Sequence, residues 1–212
     1  MSAPSIELRA LVYLDRLQPE TTAMLATGSR GFMPLEGQAC LIVEVSPGMS
    51  INVVTDVVLK QTDVAPGAQI VERDYGSLEV HSEDQGMVQA ARDAVLGYYG
   101  IKEEDRLAPR IVSEQIITGL DNHQSIIISR LRYGSMIVAN ETLYVLECHP
   151  AGYAAFACNE AEKASTIRVV DLQYFGAFGR LQLAGNEENI NQAAAAIRYA
   201  LANVSGRPNP GK

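Results

Sequence analysis

MVQAARDAVLGYYG, Met87–Gly100, is answered 103 residues later by INQAAAAIRYALAN, Ile190–Asn203. Gln89-Ala90-Ala91 returns as Gln192-Ala193-Ala194 in the same register. In the first stretch Met87, Ala90, Ala91, Ala94 and Tyr98 have the i, i+3, i+4, i+7, i+11 spacing of one helix face, and Ile190, Ala193, Ala194, Ile197 and Leu201 repeat it. Working outward from these helices, the same gapless register pairs Leu17 with Leu120, Gly31 with Gly134, Met33 with Met136, Glu44 with Glu147 and Pro47 with Pro150. It also pairs Lys60 with Lys163, Gly76 with Gly179 and Leu78 with Leu181. The identities alone are only roughly twice what this Ala- and Val-rich composition gives by chance. The apolar pattern obeying the same interval is what makes the duplication convincing. Solenoid repeats run about 20 to 50 residues, so this longer period is a tandem duplication of one small domain.

The boundaries predicted are 1–103 for the first copy, 104–205 for the second, and 206–212, within SGRPNPGK, for a flexible tail. Each copy is long enough to bury its own core. Each reads in the same order. A strand, Ile6–Leu14 or Arg110–Thr118, is followed by a helix after LQPETT or LDNHQS, where Thr22, Asp121 and Asn122 can supply capping oxygens. Gly31 and Gly134 are expected to stop these helices. The apolar runs ACLIVEV (Ala39–Val45) and TLYVLEC (Thr142–Cys148) predict buried strands, ended by Pro47 and Pro150. A second helix spans about Met49–Gln61 and Gly152–Ser165, strand pairs flank Gly76 and Gly179, and the quoted helices close each copy. GIKEEDRLAPR, Gly100–Arg110, is the linker. The fold class is α+β, with a small sheet flanked by helices in each copy.

Composition excludes several functions. A net charge of −8 without a Lys/Arg cluster argues against nucleic acid or an anionic membrane as partner. No apolar run approaches the ~18 residues of a membrane span, and the N-terminus lacks a signal pattern, so the expected location is cytosolic. Cys40, Cys148 and Cys158 lack metal spacing and read as buried, reduced thiols. His81, His123 and His149 are scattered, with His149 read as structural at a strand end, so neither a metal site nor a cofactor is predicted. GAFGR, Gly176–Arg180, lacks the Lys-Ser/Thr of a phosphate loop and reads as a turn. The residues alone leave open an enzyme with a site between the copies, or a small-molecule sensor binding between subunits.

The most informative local feature is a departure from the repeat. Glu72 and Arg73, in IVERDYG, stand where the second copy has Phe175 and Gly176. Lys60 and Lys163 each end an apolar helix, where a cation also favours the helix C-terminus.

The runs VEVSPGMSINVVTDVVLK, QIVERDYGSLEVH and TLYVLECHPAGYAAFACNEAEKAS with FGAFGRLQLAG resemble tandem-domain, circularly permuted shell proteins of bacterial microcompartments, including carboxysome members. The resemblance covers almost the whole chain. It implies two permuted microcompartment domains, each a mainly antiparallel sheet flanked by helices. It also implies a homotrimer forming a pseudohexagonal tile, tiles of a kind that can stack face to face as a dimer of trimers, and contacts with hexameric and pentameric shell proteins. No chemistry and no cofactor are implied, and the location is the shell of a cytoplasmic compartment. Glu72 and Arg73 would line a gated central pore for small metabolites, with Phe175 and Gly176 alternating between them. The family pattern has a small residue after the Glu-Arg pair, so Asp74 adds a negative charge near the opening. Lys60 and Lys163 would lie on the tile rim.

Overall fold

The computed structural model describes residues 5–210. The first half runs β1 (Glu7–Leu14), α1 (Pro19–Gly28), β2 (Ala39–Ser46), α2 (Ile51–Gln61), β3 (Ala65–Glu72), β4 (Tyr75–Ser82) and α3 (Gln85–Tyr99). The second runs β5 (Arg110–Ile117), α4 (Asn122–Leu131), β6 (Thr142–His149), α5 (Tyr153–Ala164), β7 (Arg168–Gln173), β8 (Gly179–Gly185) and α6 (Glu187–Ala202). The strands form two four-stranded antiparallel sheets, ordered β1-β2-β4-β3 and β5-β6-β8-β7. The repeat extends to their irregularities. The register shifts between Leu8 and Ala10 and between Ile111 and Ser113, and again between Pro66 and Ala68 and between Val169 and Asp171. Bulges re-aim the inserted residue, and the one in β1 is Arg9.

The run ACLIVEV is apolar throughout because β2 is covered on both faces. Leu41, Val43 and Val45 pack with Ile51, Val54 and Val58 of α2 and Val88, Ala91 and Val95 of α3. Cys40 and Ile42, with Ala10, Val12 and Leu14 of β1, face the other way into a cluster built largely by the second half. There Tyr153, Ala154, Ala157, Cys158 and Ala161 of α5 meet Ile190, Ala193, Ala194, Ile197 and Leu201 of α6. The expected α6 stripe is thus buried in full. In α3 the buried face is rotated by about one residue, to Val88, Ala91, Ala94 and Val95, and Tyr98 is exposed. Val88 and Val95 outcompete Met87 and Ala90 for the core because they bury more branched apolar surface beside a shared alanine.

Gly31 and Gly134 do not cap helices. The helices end at Gly28 and Leu131, and the glycine N–H groups bond Gly67 O and Val170 O of the edge strands. A Cβ at Gly31 would lie 2.3 Å from Pro66 O, and one at Gly134 2.3 Å from Val169 O, so close backbone approach is what these positions need. The tail also differs from expectation. Arg207 bridges Leu107, and Asn209 donates to Ala108 O and His149 O, which fastens residues 206–210 onto the linker. Residues 211–212 lie outside the described residues.

Candidate functional site

Glu72 ends β3, Arg73 and Asp74 form a two-residue turn, and Tyr75 opens β4. Arg73 has φ of 52°, the left-handed region that costs a side-chain-bearing residue about 1–2 kcal/mol. Arg73 and Asp74 are exposed at the tip, whereas Glu72 turns back toward the other half. The matching loop in the second half carries Phe175, set edge-on to buried Tyr174 at 5.6 Å, and buried Gly176 with φ of 94°. A Cβ at Gly176 would lie 2.7 Å from Glu72 Oε2 and 3.0 Å from its Cδ. The Glu72 carboxylate therefore rests in the space the missing side chain leaves. The fold brings Glu72, Phe175 and Gly176 to one place and holds Arg73 and Asp74 beside it.

The lysines lie elsewhere, one at the end of each central helix. Lys60 is 71% exposed and, among the described residues, pairs only with Asp56 on its own helix at 2.8 Å. Lys163 reaches across the halves to Asp15 at 2.8 Å and also holds Glu160 at 2.9 Å. Its hydrogen bond keeps the Asp15 carboxyl below the usual range. The two positions are equivalent in sequence and unequal in surroundings.

Between these sites runs a polar joint. Helix α1 begins at Gln18 without a side-chain cap of its own, and Thr22 only returns its hydroxyl to Gln18 O. The caps come from α5 of the other half. Glu162 accepts from Glu20 N (2.7 Å) and Thr21 N (2.9 Å), and Asn159 accepts from Gln18 N (3.0 Å). In the second half Asp121 caps its own helix, accepting from His123 N and Gln124 N, while Asn122 does not serve as a cap. At the other end of α5, fully buried Glu44 accepts from Gly152 N at 2.9 Å and from Arg9 Nε at 2.7 Å. Burial pushes the Glu44 carboxyl up despite the opposing guanidinium.

The sequence reading missed Arg9, Asn159 and Glu162. The Glu44/Glu147 identity was the one available signal for this joint; within the chain Glu44 receives the helix that follows Pro150, whereas Glu147 accepts from Arg180 Nε at 3.1 Å. Cys40, Cys148 and Cys158 are free and buried, and burial raises all three thiols, Cys148 and Cys158 to about 12, which leaves them unreactive. Among the described residues no cluster of ligating side chains could hold a metal, and no helix is long and apolar enough to cross a membrane.

Residues 8–105 match the family model of the CsoS1D N-terminal domain. Over 206 residues, covering 97% of each chain, the sequence is 49% identical to carboxysome shell protein CcmP of Synechococcus elongatus. The chain belongs to the carboxysome shell proteins. Among solved structures, this shell protein superimposes on the fused permuted hexameric shell protein MSM0275 of the RMM microcompartment with a TM-score of 0.90 and 45% identity, covering 92% of this chain and 96% of that one. It superimposes on the double ringed trimeric shell protein MSM0271 of the same microcompartment with a TM-score of 0.93 and 38% identity, over 97% and 100%. Two tandem permuted microcompartment domains are thereby the fold of this shell protein, and its relatives are named as structural components and not as enzymes.

Proposed function

We propose that three copies of this chain close head to tail into a tile in the carboxysome shell, with residues 1–103 and 104–205 alternating around a central opening. One observation carries this reading. The joint made within the chain exists in a second, unfinished form at its two ends. Strand β1 is buried almost throughout because α5 lies on it, whereas its repeat partner β5 is half-exposed along its length. Met24 of α1 sits against Gly134 of the other half, and its repeat partner Ile127 of α4 is 60% exposed. Helix α2 in turn presents Leu59, 41% exposed, at the repeat position of Glu162. An acceptor surface and a matching donor surface on opposite ends make a heterologous contact, which closes into a ring when its rotation permits. Six domains in near-sixfold order need three chains, and a neighbour described as trimeric supports that number. Light scattering should give about three times the 22.9 kDa chain mass, or six times where trimers stack face to face. A stable monomer would overturn the ring.

In such a ring Glu72, Arg73 and Asp74 of three chains alternate with Phe175 and Gly176 around the axis. Converging arginines repel unless carboxylates accept their N–H groups, so Glu72 and Arg73 form a gate with two arrangements separated by a few kcal/mol. Small metabolites pass when Arg73 swings outward, and Asp74 biases the passage against anions. Lys60 and Lys163 lie toward the rim, where hexameric and pentameric shell proteins abut. A crystal structure of the Glu72→Ala, Arg73→Ala protein should show a permanently wide opening. An occluded axis in that variant would sink the gate.

A further inference from the structure

One hydrogen-bond chain in this molecule has all its proton positions dictated by geometry. Asn209 places its amide nitrogen 2.8 Å from Ala108 O and 2.9 Å from His149 O, so that nitrogen is the NH2 group and Oδ1 is the atom 3.0 Å from His149 Nδ1. Oδ1 can only accept, so His149 Nδ1 carries the proton. His149 Nε2 is then an unprotonated acceptor, and it lies 2.9 Å from Nη2 of Arg9, which can only donate. The chain is satisfied by a neutral imidazole alone. A proton on Nε2 would set N–H against N–H and place two cations in contact.

Arg9 is 4% exposed and anchored on three sides. Its Nε is held by Glu44, and its Cζ lies 3.5 Å from the centre of the Tyr75 ring. Tyr75 pairs with Glu72 across the turn that bears Arg73 and Asp74. On the opposite side the His149 ring lies 5.9 Å from that of Phe178, the repeat partner of Tyr75 and the residue before β8. The pair thus straps together the bases of both turns. The charged groups facing His149 are Arg9, Arg110 across the β5–β6 ladder, and Glu7, with Glu44 behind Arg9. Burial, then the Arg9 charge, holds the imidazole below its usual range. The strap exists once per chain, because Val112 and Ser46 stand at the repeat positions of Arg9 and His149.

We infer that the Arg9–His149 contact is a proton-sensitive strap that positions the Glu72-Arg73-Asp74 turn, holding it while His149 is neutral and releasing it when His149 is protonated. As a control on a gate, this rests on the pore reading; as a coupling between His149 and the turn, it does not.

Both parts of the test use the intact assembly. Labelling the three histidines with 15N should show His149 in the Nδ1-protonated tautomer, titrating below the ordinary imidazole range. The Nε2-protonated tautomer, or titration within the ordinary imidazole range, would overturn the inference. Amide exchange of residues 71–76, corrected for the intrinsic pH dependence, should rise about tenfold between about pH 7.5 and about pH 5, as for loss of one charge-assisted hydrogen bond. His149→Gln keeps a neutral acceptor for Arg9 and should remove that rise. Exchange that stays flat in the unsubstituted protein, or rises equally in the variant, would also overturn the coupling. Neither readout needs metabolite passage, so failure of the gate, judged from the Glu72/Arg73 alanine variant, is distinguishable from failure of the strap.

Discussion

Arg9→Met should cost about 3–5 kcal/mol of stability at neutral pH, the range found when one partner of a buried ion pair is removed. Met keeps much of the apolar stem and discards the cation, so the change tests the charge. Left behind is Glu44, fully buried, which keeps only backbone N–H donors such as Gly152 N at 2.9 Å. Burial already raises its carboxyl, and without the guanidinium it rises further. A carboxyl whose pKa is higher folded than unfolded binds a proton on folding. Its contribution is therefore intact at low pH and is lost as pH rises from the unfolded value through the folded one, by up to about 1.4 kcal/mol per pH unit. His149 shifts the balance in the same direction. Its imidazole is lowered in the native protein, which then loses stability as pH falls below the unfolded value, and removing Arg9 relieves part of that loss. Relative to the native chain, Arg9→Met should thus be most damaging near neutrality and least damaging near about pH 5. Urea unfolding at fixed protein concentration at both pH values measures this. Adding Glu44→Leu should shrink the difference to the part contributed by His149 and recover all but about 1–2 kcal/mol, the cost of leaving the α5 N-terminus uncapped. A loss below about 1 kcal/mol at both pH values would refute the reasoning, since a buried carboxylate cannot be left unpaired so cheaply.

Three further outcomes are expected. Gly176→Ala should expel the Glu72 carboxylate from its seat and strain a backbone at φ 94°, costing about 1–2 kcal/mol; a crystal structure with Glu72 unmoved would contradict the seat. Glu162→Ala should cost about 1–2 kcal/mol in denaturant unfolding and raise amide exchange at Glu20 and Thr21, whose N–H groups it caps. Ile127→Asp should leave the chain folded by circular dichroism, because this exposed side chain adds little to the core, and yet drop the mass by light scattering to that of one chain. An intact ring in that variant would count against the head-to-tail contact.

Much of the fold is legible in the chain because its signals are local and occur twice. Apolar runs at Ala39–Ser46 and Thr142–His149, the prolines after them and the closing helices are short-range patterns, and a second copy supplies an internal control on each. The α3 stripe read from periodicity lies one residue from the buried face because Met87 and Val88 are both apolar, and only the surroundings decide which of two adjacent faces is covered. Gly31 and Gly134 look like helix stops along the chain because position alone does not distinguish a cap from a close approach to an edge strand. The tail reads as frayed by composition, and the amide of Asn209 finds its partners only after the chain has folded back on itself.

By itself the amino-acid sequence determined a duplicated α+β domain, the order of its elements, and the place where the copies part company at Glu72-Arg73 and Phe175-Gly176. Periodicity, turn residues and self-similarity are properties of neighbours along the chain or of a fixed interval, and they survive without any knowledge of packing. Tertiary structure decided everything that depends on the two halves meeting. Glu162 accepts from Glu20 N across 142 positions, His149 accepts from Arg9 across 140, and Glu72 rests where Gly176 has no side chain. No local pattern records such pairings, because each residue of a pair is unremarkable until burial removes water as its alternative partner.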